Sequence, residues 1–62
     1  MHPDSASSYQ NLGGAYYEKG MYEKALELHN KARTAYETTL GYDHPKAQTS
    51  REWVSIVEEA MQ

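Results

Sequence analysis

A His-Pro pair occurs twice in this chain, at His2-Pro3 and His44-Pro45, 42 residues apart. The chain has only 62 residues, so this one spacing occupies most of it. Self-similarity at a period of roughly 20–50 residues marks repeat architectures, in which each unit leaves a face for its neighbour to bury. The length therefore holds one whole unit and the first element of a second. Composition fits that reading. The apolar fraction is 39%, with six Tyr and no Phe, which is lean for a self-sufficient core. A chain of this size buries only about 60% of the surface it exposes when unfolded. There is no cysteine, so neither a disulfide nor a cysteine-based zinc site can staple the fold.

The formal charge of −3 argues against a nucleic-acid or anionic-membrane surface, since both need a basic footprint. Met1-His2-Pro3-Asp4 offers neither a basic segment nor an apolar run, so it does not read as a signal peptide. No stretch approaches the ~20 apolar residues of a membrane span. A cytoplasmic protein, or a cytoplasmic piece of a larger one, is expected. Asp43, just ahead of the second His-Pro, corresponds to Met1 ahead of the first. Met1 is accordingly read as a start placed at a repeat boundary, and the chain as a piece of a longer array, with a natural start as the alternative.

Three amphipathic helices are predicted, over about 4–18, 22–39 and 44–61. In the first, Ala6, Tyr9, Leu12, Gly13 and Tyr16 form one helical stripe, which Gly20 ends. In the second, Tyr22, Ala25, His29, Ala32 and Tyr36 step by three and four residues, and Leu40-Gly41 stops the run. Asp43 is the expected N-cap of the third, with Pro45 in its first turn, where a missing N–H costs nothing. Ala47, Val54, Val57 and Met61 carry its stripe, flanked by Trp53, Ile56 and Ala60. No strand pattern competes, so the fold class is all-α.

Leu12-Gly13, Tyr16, Gly20, Tyr22, Ala25 and Ala32 stand at the spacing of the tetratricopeptide repeat signature, which this stretch resembles. The linker Leu40-Gly41-Tyr42-Asp43-His44-Pro45 resembles the 42-residue form found in kinesin light chains and related scaffold proteins. The resemblance covers residues 2–45. It implies a helix-turn-helix unit followed by a capping helix, a slice of an α-solenoid. The residues suit that geometry. Gly13, Ala25 and Ala32 let helices approach closely, while Tyr16 and Tyr22 fill the wedge between them. Leu12 is the expected buried anchor, with Leu12→Ala costing ~2–5 kcal/mol. Three departures stand out. His29 occupies a position where the family carries an aromatic or large apolar residue. Glu37 replaces the proline of the shorter, 34-residue form. In the third helix Tyr9, Leu12, Gly13 and Tyr16 become Arg51, Val54, Ser55 and Glu58, which reads as a polar cap.

No catalytic constellation comes out. His2, His29 and His44 lack metal-ligand spacing. His2 and His44 are expected to pack or hydrogen-bond where their helices begin. His29 is expected to be a packed core histidine, with a pH-dependent switch as the alternative, because histidine titrates near neutrality. Glu58-Glu59 and Glu23/Glu27 read as solvated faces. Ser5, Ser7 and Ser8 have no activating partner, and Gly13-Gly14 lies within a helix, unlike a phosphate-binding loop. No enzyme, metal or cofactor is expected.

Binding is the remaining option. In the family the first helix of each pair lines a concave groove that holds extended peptides, which here implies Ser7, Gln10, Asn11, Gly14 and Tyr17. Asn11 matches the position whose amide bonds a peptide backbone; an amide both donates and accepts, so it can pair without reading sequence. Basic residues that clamp a terminal carboxylate in chaperone-binding relatives are missing. The alternative is a self-associating unit, a homo-oligomer formed by stacking or helix exchange, with Trp53, Ile56, Val57 and Tyr9 at the contact. The partner, the parent protein and the oligomeric state are not readable from the residues.

Overall fold

The computed structural model describes residues 3–62, with side chains from residue 5 onward; Met1 and His2, and the packing expected of His2, lie outside the described residues. Three helices follow one another: α1 (Pro3–Glu18), α2 (Tyr22–Leu40) and α3 (Pro45–Ala60). The fold is all-α, a helix-turn-helix unit with a third helix laid against it.

Each turn depends on one glycine. Gly20 adopts φ 80°, the left-handed region that side chains disfavour. Its N–H donates to the Tyr17 carbonyl at 3.0 Å, and the Met21 N–H reaches the Tyr16 carbonyl at 2.9 Å. This bond pair is a Schellman closure, which satisfies carbonyls that the helix end would leave open. Gly41 adopts φ 99° and ψ 153° and accepts at its carbonyl from the His44 N–H. The N-cap of α3 is His44, not Asp43 as expected: its Nδ1 accepts from the Lys46 N–H at 3.1 Å. The correction follows from Pro45. Proline at the first helical position holds the residue before it extended, and that residue is the cap. Asp43 contributes its backbone carbonyl, which accepts from Gln48 Nε2 at 3.2 Å.

The core is built for close approach. Five of the eight buried hydrophobic residues are alanine (Ala6, Ala25, Ala32, Ala35 and Ala47), beside Leu28, Tyr36 and Val57. Small side chains let helix backbones come together, so contact is made by many short-range dispersion pairs and few large side chains. Tyr36 is the exception in size, and Tyr9 and Leu40 pack against the same cluster. Its buried hydroxyl needs a partner and finds Ser7 Oγ at 2.9 Å.

Glu37, the departure from proline, joins α2 to α3. One carboxylate oxygen pairs with Arg33 at 3.2 Å and the other with Arg51 at 2.9 Å. The Arg51 guanidinium also lies 3.9 Å over the Tyr42 ring. The change from Tyr9 to Arg51 between units thus brings a charge that Glu37 meets.

Leu12 is not the buried anchor the stripe implied. It is 49% exposed. The 42-residue offset supplies the reason. Ala47, Ser50 and Val57 of α3 are buried, while their counterparts Ser5, Ser8 and Ala15 in α1 are exposed. Val54 is part-buried, and its counterpart is Leu12. The α1–α2 hairpin covers this face of α3, whereas no described helix packs on the same face of α1.

Candidate functional site

The five groove candidates of α1 separate into two sets. Asn11 is exposed, and Gly14 lies beside it on a shallow depression completed by Gln10, Ala15, Glu18 and, across on α3, Trp53. Ser7 is turned away, its hydroxyl bonded to Tyr36 of α2. Gln10 reaches inward as well as lining the depression. Tyr17 is part-buried, with its ring 5.5 Å from Tyr22 and 5.7 Å from Trp53, the latter edge-on at 75°. The open surface of the groove is therefore Asn11 and Gly14 beside the Trp53 ring, while Ser7 and Tyr17 support it from within.

Beneath this surface sits a polar cluster shared by all three helices. His29 is fully buried, and its ring stacks on Trp53 at 4.8 Å with only 5° between planes. A flat ring at this position replaces the aromatic side chain of the family pattern. Gln10 Oε1 accepts from Ser50 Oγ at 3.2 Å and lies 3.1 Å from His29 Nδ1. Because that oxygen is an acceptor, the proton of the neutral imidazole sits on Nδ1. His29 Nε2 is then a buried acceptor with no hydrogen-bond partner among the described residues. Burial pushes the His29 pKa below its usual 6.5, since a second N–H would have nothing to donate to.

The ring fits only because Gly13 faces it. A Cβ at Gly13 would come within 2.7–2.8 Å of three His29 ring atoms, whereas one at Gly14 would meet nothing within 4 Å. The adjacent glycines thus differ in purpose: Gly13 admits the His29 ring, and Gly14 leaves the floor of the depression bare. The Gln10–His29–Ser50–Trp53 cluster was not assembled by sequence reasoning. One signal for it was present, a histidine in an aromatic position. Its partner was hidden because Trp53 stands at the α3 counterpart of the outward-facing Asn11.

The self-association candidates also divide. Ile56 is 42% exposed, Tyr9 and Trp53 are part-buried, and Val57 is fully buried. Val57 is therefore an internal core residue of the single chain, open to a second copy only through exchange of α3. Tyr9 borders a second depression, lined by α1 and α2 alone, with Lys31, Thr34, Ala35 and Thr38 along its α2 side.

Among the described residues no group of three or more His, Cys, Asp or Glu comes together to hold a metal ion. No described helix is long and apolar enough to cross a membrane. Comparison with curated proteins finds no match, and neither does comparison with solved structures. A family model for the tetratricopeptide repeat matches residues 5–46, a span that takes in both helices of the hairpin, the Gly41 turn and the start of α3. With that match over most of its length, the chain belongs to the tetratricopeptide repeat family.

Proposed function

We propose that this chain is a protein-interaction module that holds an extended peptide along the depression between α1 and α3. The observation that carries the reading is the pairing of the exposed Asn11 with the bare Gly14 floor and the Trp53 ring. An amide supplies one donor and one acceptor to a peptide unit. Gly14 lets a backbone approach closely, and the aromatic ring offers rigid apolar area at low entropic cost. His29 and Tyr17 hold that ring in place from two sides. A scaffold role without catalysis is consistent with the family and with the scattered titratable groups.

A linear peptide selected from a random library, measured by fluorescence polarisation, tests this reading. Asn11→Ala should weaken binding by about fivefold to tenfold, the worth of roughly one net hydrogen bond. Helicity should stay unchanged. Equal affinity for the variant and the parent chain removes Asn11 from the site.

A second reading, self-association, is favoured by a separate observation. Leu12, Ile56 and Met61 are each more than 40% exposed, and the open face of α1 is the counterpart of the buried face of α3. What buries that face on α3 is an α1–α2 hairpin, so a second copy presents a surface of the right kind for α1. Head-to-tail contacts of this type need not close into a ring. Sedimentation velocity over a wide concentration range should show mass rising with concentration, and Leu12→Glu should suppress the rise. A monomer at every concentration ends this reading and leaves the peptide-binding one standing.

A further inference from the structure

A buried imidazole ties α3 to the hairpin, and it does so in the neutral form. His29 lies on α2 and reaches α3 through its stack on Trp53 and through Gln10, which it shares with Ser50. We propose that α3 is a pH-gated helix: uptake of a proton by His29 opens the cluster and releases α3 from the α1–α2 hairpin.

At His29 a proton must go to Nε2, which is buried against Gly13 with no acceptor. The ordinary value of 6.5 is lowered there by burial. A charged ring stacked on Trp53 gains some cation–π attraction, which opposes the effect without supplying the missing acceptor. Among the described residues no charged side chain is hydrogen-bonded or ion-paired to the ring. Gln10 and Gly13 meet it from α1, and Ser50 and Trp53 from α3. On α2, Arg33 lies one turn on and is held by Asn30 and Glu37, while Glu27 and Lys31 pair with each other at the surface.

The sign follows from proton linkage. His29 has a folded-state pKa below its unfolded value, so its contribution is complete above about pH 6.5 and is lost as pH falls below that point. Each such group can shift the equilibrium by up to about tenfold per pH unit. Release of α3 uncovers the seat on the hairpin that another helix of the same type fits.

Hydrogen-exchange protection factors measured from pH 7.5 to pH 5 test the proposal on the whole chain. Protection in α3 should fall by up to about tenfold per unit below pH 6.5, while α1 and α2 hold. The variant His29→Phe keeps a ring on Trp53 but cannot titrate at that position. It should keep α3 protected throughout. Protection falling equally in all three helices, no fall in α3, or the same fall in the variant overturns the proposal. Should the variant fail to fold, NMR titration of the wild-type chain decides. The His29 ring should titrate below 6.5 together with a change at the Trp53 indole. A midpoint at or above 6.5, or an indole that does not respond, overturns it.

Discussion

Gly13→Ala and Gly14→Ala should move the stability of this chain in opposite directions. Alanine in place of glycine within a helix ordinarily gains about 0.5–1 kcal/mol, because the unfolded chain has less freedom to lose. Gly14 should show that gain, since a Cβ there meets nothing within 4 Å. At Gly13 the new methyl would stand 2.7–2.8 Å from Nε2, Cδ2 and Cε1 of His29. The ring cannot retreat, because its opposite face lies flat on Trp53 at 4.8 Å. Overpacking of this kind costs about 1–3 kcal/mol, more than the entropic gain. Urea denaturation followed by circular dichroism should place the midpoint of Gly13→Ala below that of the parent and Gly14→Ala above it. Removing the ring should reverse the first result, so Gly13→Ala and His29→Ala should be strongly non-additive. Equal midpoints for the two glycine variants would mean that His29 does not occupy this site.

The second large effect is expected at His29 itself. His29→Ala deletes a fully buried ring, opens a cavity and leaves one face of Trp53 bare. The nearest analogy is truncation of a buried aromatic, at about 3–5 kcal/mol. A core in a chain this short supplies roughly 3–5 kcal/mol in total, so the variant should lose most of its helicity at room temperature. Leu12→Ala, by contrast, should cost about 1 kcal/mol or less, because half of that side chain already faces water. Circular dichroism of the two variants side by side checks the ranking. A larger loss for Leu12→Ala would show that the open face of α1 is covered in solution, as contact with a neighbouring copy would do.

Those two expectations invert what the residues alone imply. By pattern, Leu12 is the anchor of α1 and His29 an oddity in the stripe of α2. Pattern reading assigns a residue to a face, and it did so correctly for Ala6, Ala25, Ala32 and Ala47, because helical periodicity is local. It does not say whether anything covers that face. Ser7 and Gln10 show the same limit: both lie on the α1 surface by spacing, yet Ser7 bonds Tyr36 and Gln10 joins Ser50 to His29 across as many as 40 residues of chain. Contacts of that range depend on how helices cross, which no local pattern records.

The sequence by itself determined three helices, two glycine turns and membership of the tetratricopeptide repeat family. Those follow from backbone preferences and from the spacing of small and apolar residues, all expressed within a few residues of chain. Only the tertiary structure decided that His29 is the centre of the unit, that His44 caps α3, and that Leu12 and Asn11 are open while Val57 is not. The reason is physical. Burial and hydrogen bonding of a side chain are properties of the neighbours it meets, and here those neighbours come from a different helix.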